Sequence, residues 1–249
     1  MKKYYRYVIV FGILAALGIT LAIAAEQASN AGSARVSFLQ GKGFKSKAKD
    51  GPWTPIKQGS VISAGFYVKA DENSKIELTL PDNSKMRIAP KSVLFLSSAR
   101  MNKGARSYEA QVAAGSVYTR ATPSQKKEDK FVVRSGGAVA GIRGTSFDTI
   151  LMPDNATQVK CFEGKVWVAT WADYAQRFLK EPQKIPTAGS LEAPVVPGPD
   201  VVTEEEWVRI AGAMMSVTVG SDGKIQDPAQ MNQSDVNDWE DWNRKRDAM

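Results

Sequence analysis

Few side chains in this sequence are equipped for chemistry. There is no histidine, and the single cysteine is Cys161. Ser-His-Asp and Cys-His catalysis are therefore out of reach. A structural zinc site, which needs four ligands of the Cys/His type, cannot be assembled either. Carboxylates remain. A pair such as Asp148 and Asp154 could in principle serve a hydrolase, but no acid pair here has a spacing that argues for it. No enzymatic activity, cofactor or metal is expected. Arg143 stands in a glycine corner, where an exposed cation could hold an anion. The reading adopted is instead structural: Arg143 bonds backbone carbonyls or packs across a neighbouring coil while Gly141 and Gly144 permit the turn. Cys161 precedes Phe162 in a strand pattern and reads as a small buried hydrophobe. One cysteine cannot staple the fold internally.

These residues belong to the stretch around which the chain is organised, Phe131 to Val168. Phe131-Val132-Val133 is a short apolar run. Gly136, Gly137, Gly141 and Gly144 then crowd together, which marks sharp turning or the close approach of another strand. Phe147, Ile150 and Leu151 resume the apolar pattern, Met152-Pro153-Asp154-Asn155 is a turn by composition, and Val159, Phe162, Val166 and Val168 flank the tight Glu163-Gly164.

This block resembles the FecR domain, named for the ferric-citrate regulator of bacterial iron-uptake signalling. The hallmark is carried by Ala138 to Phe147, with Gly141, Arg143, Gly144, Thr145 and Phe147 at the pattern positions. The closing hairpin is carried by Thr157 to Val168, with Glu163 and Gly164. Upstream, Trp53, Gln58 to Val61, Gly65 and Ile76 to Ser84 are similar to the same pattern, with Asn83 where the family usually has Gly. The resemblance spans roughly Arg35 to Leu191. It implies a solenoid-like β-domain, attaches no catalytic role to the Arg-Gly-Thr motif, and leaves the motif residues as structural.

Length and composition are those of a globular protein: 249 residues, 43% hydrophobic and 24% charged. The net charge is +7, but Lys2, Lys3 and Arg6 precede the apolar run and the rest of the excess is spread out. The basic runs Lys42 to Lys49 and Lys126 to Lys130 read as solvated loops, so no nucleic-acid partner is expected. Residues 1–24 read as a secretory signal peptide: a basic start, the apolar run Val8 to Ala24, and the small-x-small pattern Ala22-Ile23-Ala24. The run is nearly long enough to span a bilayer, so an uncleaved single-pass inner-membrane anchor is the alternative. No Cys follows it to carry a lipid. Either reading places the remainder outside the cytoplasm, in the periplasm or beyond.

From Arg35 to Leu96 short apolar segments alternate with turns. Ile76 to Leu80 alternates at period two, the pattern of a strand with one buried face. Gly59-Ser60-Val61, Gly115-Ser116-Val117 and Gly164-Lys165-Val166 form a weak internal echo, Gly two residues before Val as a strand begins. The expected fold is mainly β, solenoid-like or sandwich-like, over residues 35–192. Trp171 to Leu179 reads as a short helix or irregular cover. The proline-rich 193–203 reads as a linker, and 204–249 as a small α-containing extension. In that extension Thr203 caps a helix carrying Trp207, Ile210, Ala211 and Met214. Val217 to Val219 is a strand, and Ser234 caps a last helix carrying Val236, Trp239 and Trp242, with acids first and bases last as the helix dipole favours.

The function expected is an exported, non-catalytic binding, scaffold or signal-receiving module of the bacterial cell envelope, with an envelope protein as partner. Recognition could use an added edge strand. A polysaccharide-binding role through Trp53, Trp167 and Trp171 is the second reading. A sigma-factor regulator is the third, weakened because about seven residues precede the apolar run, too few for a folded domain.

Overall fold

The computed structural model describes residues 32–124, 126, 128–142, 144–178 and 208–248. Residues 1–24, read above as a signal peptide or anchor, and 193–203, read as a linker, lie outside them. Two ladders of strands share one long strand. In the first ladder, β2 (Gly43–Ser46) pairs with β3 (Thr54–Ile56) and β5 (Phe66–Ala70). The ladder continues through β8 (Val93–Asn102) to β9 (Ala105–Arg120), then β10 (Lys130–Ser135), β11 (Ala138–Ile142), β14 (Val166–Thr170) and β15 (Val208–Ala211). In the second, β4 (Val61–Ser63) pairs with β1 (Ser33–Gln40), then β6 (Lys75–Thr79), β7 (Lys85–Ile88) and β9 again. It continues through β12 (Ser146–Leu151), β13 (Thr157–Glu163), β16 (Met215–Val219) and β17 (Ala229–Gln230). The β9–β10 pairing is parallel.

The chain passes back and forth between the ladders, which makes the solenoid-like and sandwich-like descriptions two views of one object. β9 belongs to both. Its first half pairs with β8 and β10, and from Gly115 onward it pairs with β12 and then also β7. The crossing occurs at Gly115, whose φ of +69° suits glycine. A Cβ there would fall 2.2 Å from Ser92 Oγ, and that hydroxyl accepts the Ser116 amide at 2.9 Å. Gly59 and Gly164 also take positive φ. The Gly-x-Val echo is thus a recurring left-handed corner that redirects the chain.

Between the ladders lies one apolar core, with Val36, Ile62, Val68, Leu78, Leu94, Val112, Val117, Phe147, Val159 and Val168 wholly buried. Each such side chain contributes about 1.5–3 kcal/mol relative to exposure. Period-two alternation puts these residues inward and their neighbours outward. The outward neighbours differ from expectation: Glu77, between Ile76 and Leu78, is also buried. The reason is a cover. Helix α2 (Asp238–Asp247) lies on the outer face of the second ladder, and helix α1 (Trp171–Phe178) lies on the outer face of the first.

The carboxyl-terminal region departs from its sequence reading at two points. Val208–Ala211, expected within a helix, forms β15 beside β14; pairing with an open sheet edge outweighs local helical spacing. The last helix is capped by Asn237 rather than Ser234. Asn237 accepts the Glu240 amide at 3.0 Å while Glu240 reaches back to the Asn237 amide at 2.9 Å, a capping box. Ser234 sits in the preceding 3-10 turn, Gln233–Asp235.

Candidate partner-binding surfaces

The motif residues meet at one corner. Gly144 has φ +76°, and a Cβ there would lie 2.7 Å from Pro123 Cα. Thr145 Oγ1 donates to the Lys165 carbonyl at 3.0 Å, and its own carbonyl accepts the Ala121 amide at 2.9 Å. A Cβ on Gly164 would lie 2.9 Å from the Gly144 carbonyl oxygen. Glu163 is exposed and accepts from Ser146 Oγ at 3.3 Å. Phe147 is 0% exposed in the core, and Gly141 lies under Trp167. The corner therefore joins the end of β9 to the β13–β14 turn through backbone contacts that tolerate no side chain. Arg143 lies outside the described residues.

The acid pair is not brought together. Asp148 is fully buried on β12. Asp154 is exposed in the next turn, where it accepts the Ala156 amide at 3.1 Å. Cys161 is buried in the core, and burial pushes its thiol up to about 11, so it stays protonated and inert at neutral pH.

The three candidate tryptophans divide. Trp167 and Trp171 both stack on Tyr174 of α1, with centroids 6.0 and 5.9 Å away. The Arg134 guanidinium lies 4.7 Å from the Trp171 ring and pairs with Glu109 at 3.2 Å. Trp53 lies at the far side of the same ladder, with Lys69 4.5 Å from its ring and 5.3 Å from that of Phe44. It is seven strand positions from β14, roughly 30 Å at about 4.8 Å per strand. Between them the outer face carries Tyr67 against Phe95 at 4.5 Å. The result is an aromatic and basic strip across one face, rather than a single indole cradle.

The opposite face holds a feature the sequence reading missed. Cross-strand register lines up Glu77, Arg87, Tyr118, Asp148 and Lys160 across five strands. All five are buried, and α2 covers them with matching groups. Arg87 Nε binds Glu77 Oε2 at 2.7 Å, and its Nη1 approaches Asp247 Oδ1 at 2.7 Å without hydrogen-bond alignment. Arg246 binds Glu77 at 3.0 Å. Tyr118 donates to Asp247 at 3.0 Å. Lys160 pairs with Glu240 at 2.9 Å, Glu240 being 0% exposed.

The charges of this row respond to their setting. Burial pushes the Glu77 carboxyl up, but hydrogen bonds from Ser37, Arg87 and Arg246 outweigh it and hold the group at about 2. Burial pushes Asp148 up to about 7; the Ser116 hydroxyl and Lys160 favour its charged form, and Glu240 opposes it. The signal for this row was present in the hairpin Ile76-Glu77-Leu78 and Met86-Arg87-Ile88. Opposite charges there occupy matching outward positions of two adjacent strands. Without α2 in view, both read as solvated.

The model of the FecR protein family matches residues 67–167. This stretch is similar to the FecR domain. The match begins in β5 and ends in β14, so it takes in the shared strand β9, the Arg-Gly-Thr corner and the Glu77–Arg87 hairpin. It is narrower than the Arg35–Leu191 stretch that carries the sequence resemblance. Two crystal structures of a candidate anti-sigma factor from Parabacteroides distasonis ATCC 8503 are similar at 16% identity and a TM-score of 0.46. Each alignment covers 70% of this chain and 63% of theirs, so this chain spans less than two thirds of their length. No curated protein matches.

Proposed function

We propose that this protein is an exported regulatory platform of the bacterial cell envelope. It receives a signal by binding an envelope protein and carries out no reaction. The FecR match supports the regulatory reading. The basic, apolar amino-terminal segment supports export, with an inner-membrane anchor facing the periplasm as the alternative. Recognition belongs on the sheet faces. Among the described residues, the strands at the ladder edges (β3, β15, β4 and β17) are two to four residues long, a poor template for an added strand. The strip from Trp53 through Tyr67 and Phe95 to Trp171 offers aromatic anchors of the kind that dominate protein interfaces.

The test is protease accessibility in cells with a permeabilised outer membrane, combined with chemical crosslinking in intact cells. Export predicts digestion by external protease and capture of an envelope protein. Protection from protease, with capture of cytoplasmic proteins alone, would overturn it. A second reading rests on the Trp167–Tyr174–Trp171 stack: such rings could hold a polysaccharide. Retention on envelope polysaccharide, lost in Trp171→Ala, would favour it.

A further inference from the structure

Beside the end of α2, on the outer face of the second ladder, an open cleft of about 240 Å³ is lined by Lys85, Arg87, Arg120, Arg246 and Glu77. Four of the five are cations. Two of them are committed inward: Arg87 holds Glu77 and Asp247, and Arg246 holds Glu77. Arg120 donates through Nη1 to the Asp247 carbonyl at 3.0 Å, and lies 3.6 Å from the Asp247 carboxylate. Its side chain remains 48% exposed. Lys85 donates to the neutral Thr79 hydroxyl at 2.7 Å. Among the described residues no carboxylate pairs with it.

The register makes this arrangement unfavourable as it stands. Lys85 and Arg120 are direct cross-strand partners on β7 and β9, and like charges directly opposite repel. Glu77 and Asp247, the two acids at hand, are already shared among Arg87, Arg246 and Arg120. Four cations against two carboxylates leave two positive charges without a counter-charge, and the least satisfied of them face the open side. The sheet holds Lys85 and Arg120 in place, and the last turn of α2 holds Arg246. A cleft of this size suits one compact charged group rather than a drug-sized ligand.

We propose that this cleft binds an anionic phosphate group, coordinated by Lys85, Arg120 and Arg246 from three elements. Guanidinium groups suit phosphate oxygens by geometry and charge, and Lys85 adds a point charge. The phosphate belongs to a small soluble molecule or to a lipid headgroup, since both present the same group. Because Arg246 lies on α2, an occupied cleft ties that helix to the sheet, so bound phosphate stabilises the native chain.

The experiment uses the full chain at low ionic strength, in detergent with inorganic phosphate as one probe and, after detergent removal, with vesicles containing phosphatidylglycerol as the other. The variants are Lys85→Gln and Lys85→Gln/Arg120→Gln. Wild type is expected to bind at least one probe and to gain thermal stability in it, as mass action requires. The double variant is expected to lose at least tenfold in affinity while its melting temperature without anion stays equal or rises, because repulsion is relieved. Binding of free phosphate identifies a soluble source, and binding of vesicles alone identifies a headgroup. Absence of binding to either probe overturns the proposal. So does equal binding by wild type and double variant, which marks an unselective charge effect. Failure of the FecR-based reading would leave this result untouched, since the cleft is defined by its own charges.

Discussion

The indole of Trp167 fills the space that a Cβ on Gly141 would occupy. The two residues are cross-strand partners on β11 and β14, and a Cβ on Gly141 would lie 1.7 Å from Trp167 Cζ2. Gly141 lies within β11 and is therefore a seat for a ring rather than a turning point. Trp167 in turn stacks on Tyr174, so the glycine sets where α1 rests.

Gly141→Ala should then destabilise by overpacking, by about 1–3 kcal/mol or more. Denaturant melts of Gly141→Ala, Trp167→Ala and the double variant check it. The expected outcome is strong coupling, with the glycine substitution costing far less once the indole is gone. Additive costs would show that the two do not meet.

Gly144→Val should be more severe. A β-branched side chain meets positive φ and the Pro123 backbone at once. Loss of the soluble folded protein, or a large drop in melting temperature, is expected. Unchanged stability would count against the corner as described.

Helix α2 is mounted through charged pairs and through Trp239 on the small Tyr118–Phe162 cluster, both outside the main core, which makes it separable from that core. Arg87→Ala removes one partner each from Glu77 and Asp247, which keep Arg246 and Tyr118, and breaking a buried pair costs up to about 3–5 kcal/mol. Amide exchange across 238–247 should accelerate strongly, while exchange in β10 to β14 changes little. Equal acceleration throughout would mean that α2 and the sheets unfold as one unit.

Asp148 gives a pH dependence of stated sign. Its folded value of about 7 exceeds the unfolded value near 4, so the native state holds a proton that the unfolded chain has released. Between about pH 4 and 7 this group lowers stability as pH rises, by on the order of 4 kcal/mol in all. Glu77, held at about 2, acts oppositely: its stabilisation is present above its unfolded value and fades as pH falls toward 2. Asp148→Asn should match wild type near pH 4 and exceed it at pH 8 in denaturant melts. A constant difference at both values would contradict the raised carboxyl.

Much of the platform was legible in the sequence. Alternation marked β6 and β7, the Gly-x-Val echo marked three left-handed corners, and the ordered motif around Gly141 to Phe147 marked the FecR domain. The missing parts share a cause. Glu77 and Arg87 look solvated on their own strands, because their cover is supplied by residues far along the chain, Asn243, Arg246 and Asp247. Val208–Ala211 looks helical because its partner edge on β14 is invisible to local periodicity. Trp53 and Trp167 look like one set, because nothing in the sequence counts the strands between them.

The central claim is that an exported FecR platform grips an envelope protein through its aromatic face. The most direct measurement places a photocrosslinking residue at Tyr67, in the middle of that face, and irradiates intact cells. The account predicts a discrete crosslinked band containing an envelope protein, absent when the same residue replaces Lys224 on the exposed turn after β16. A band formed only with cytoplasmic proteins, or equally from both positions, would contradict it.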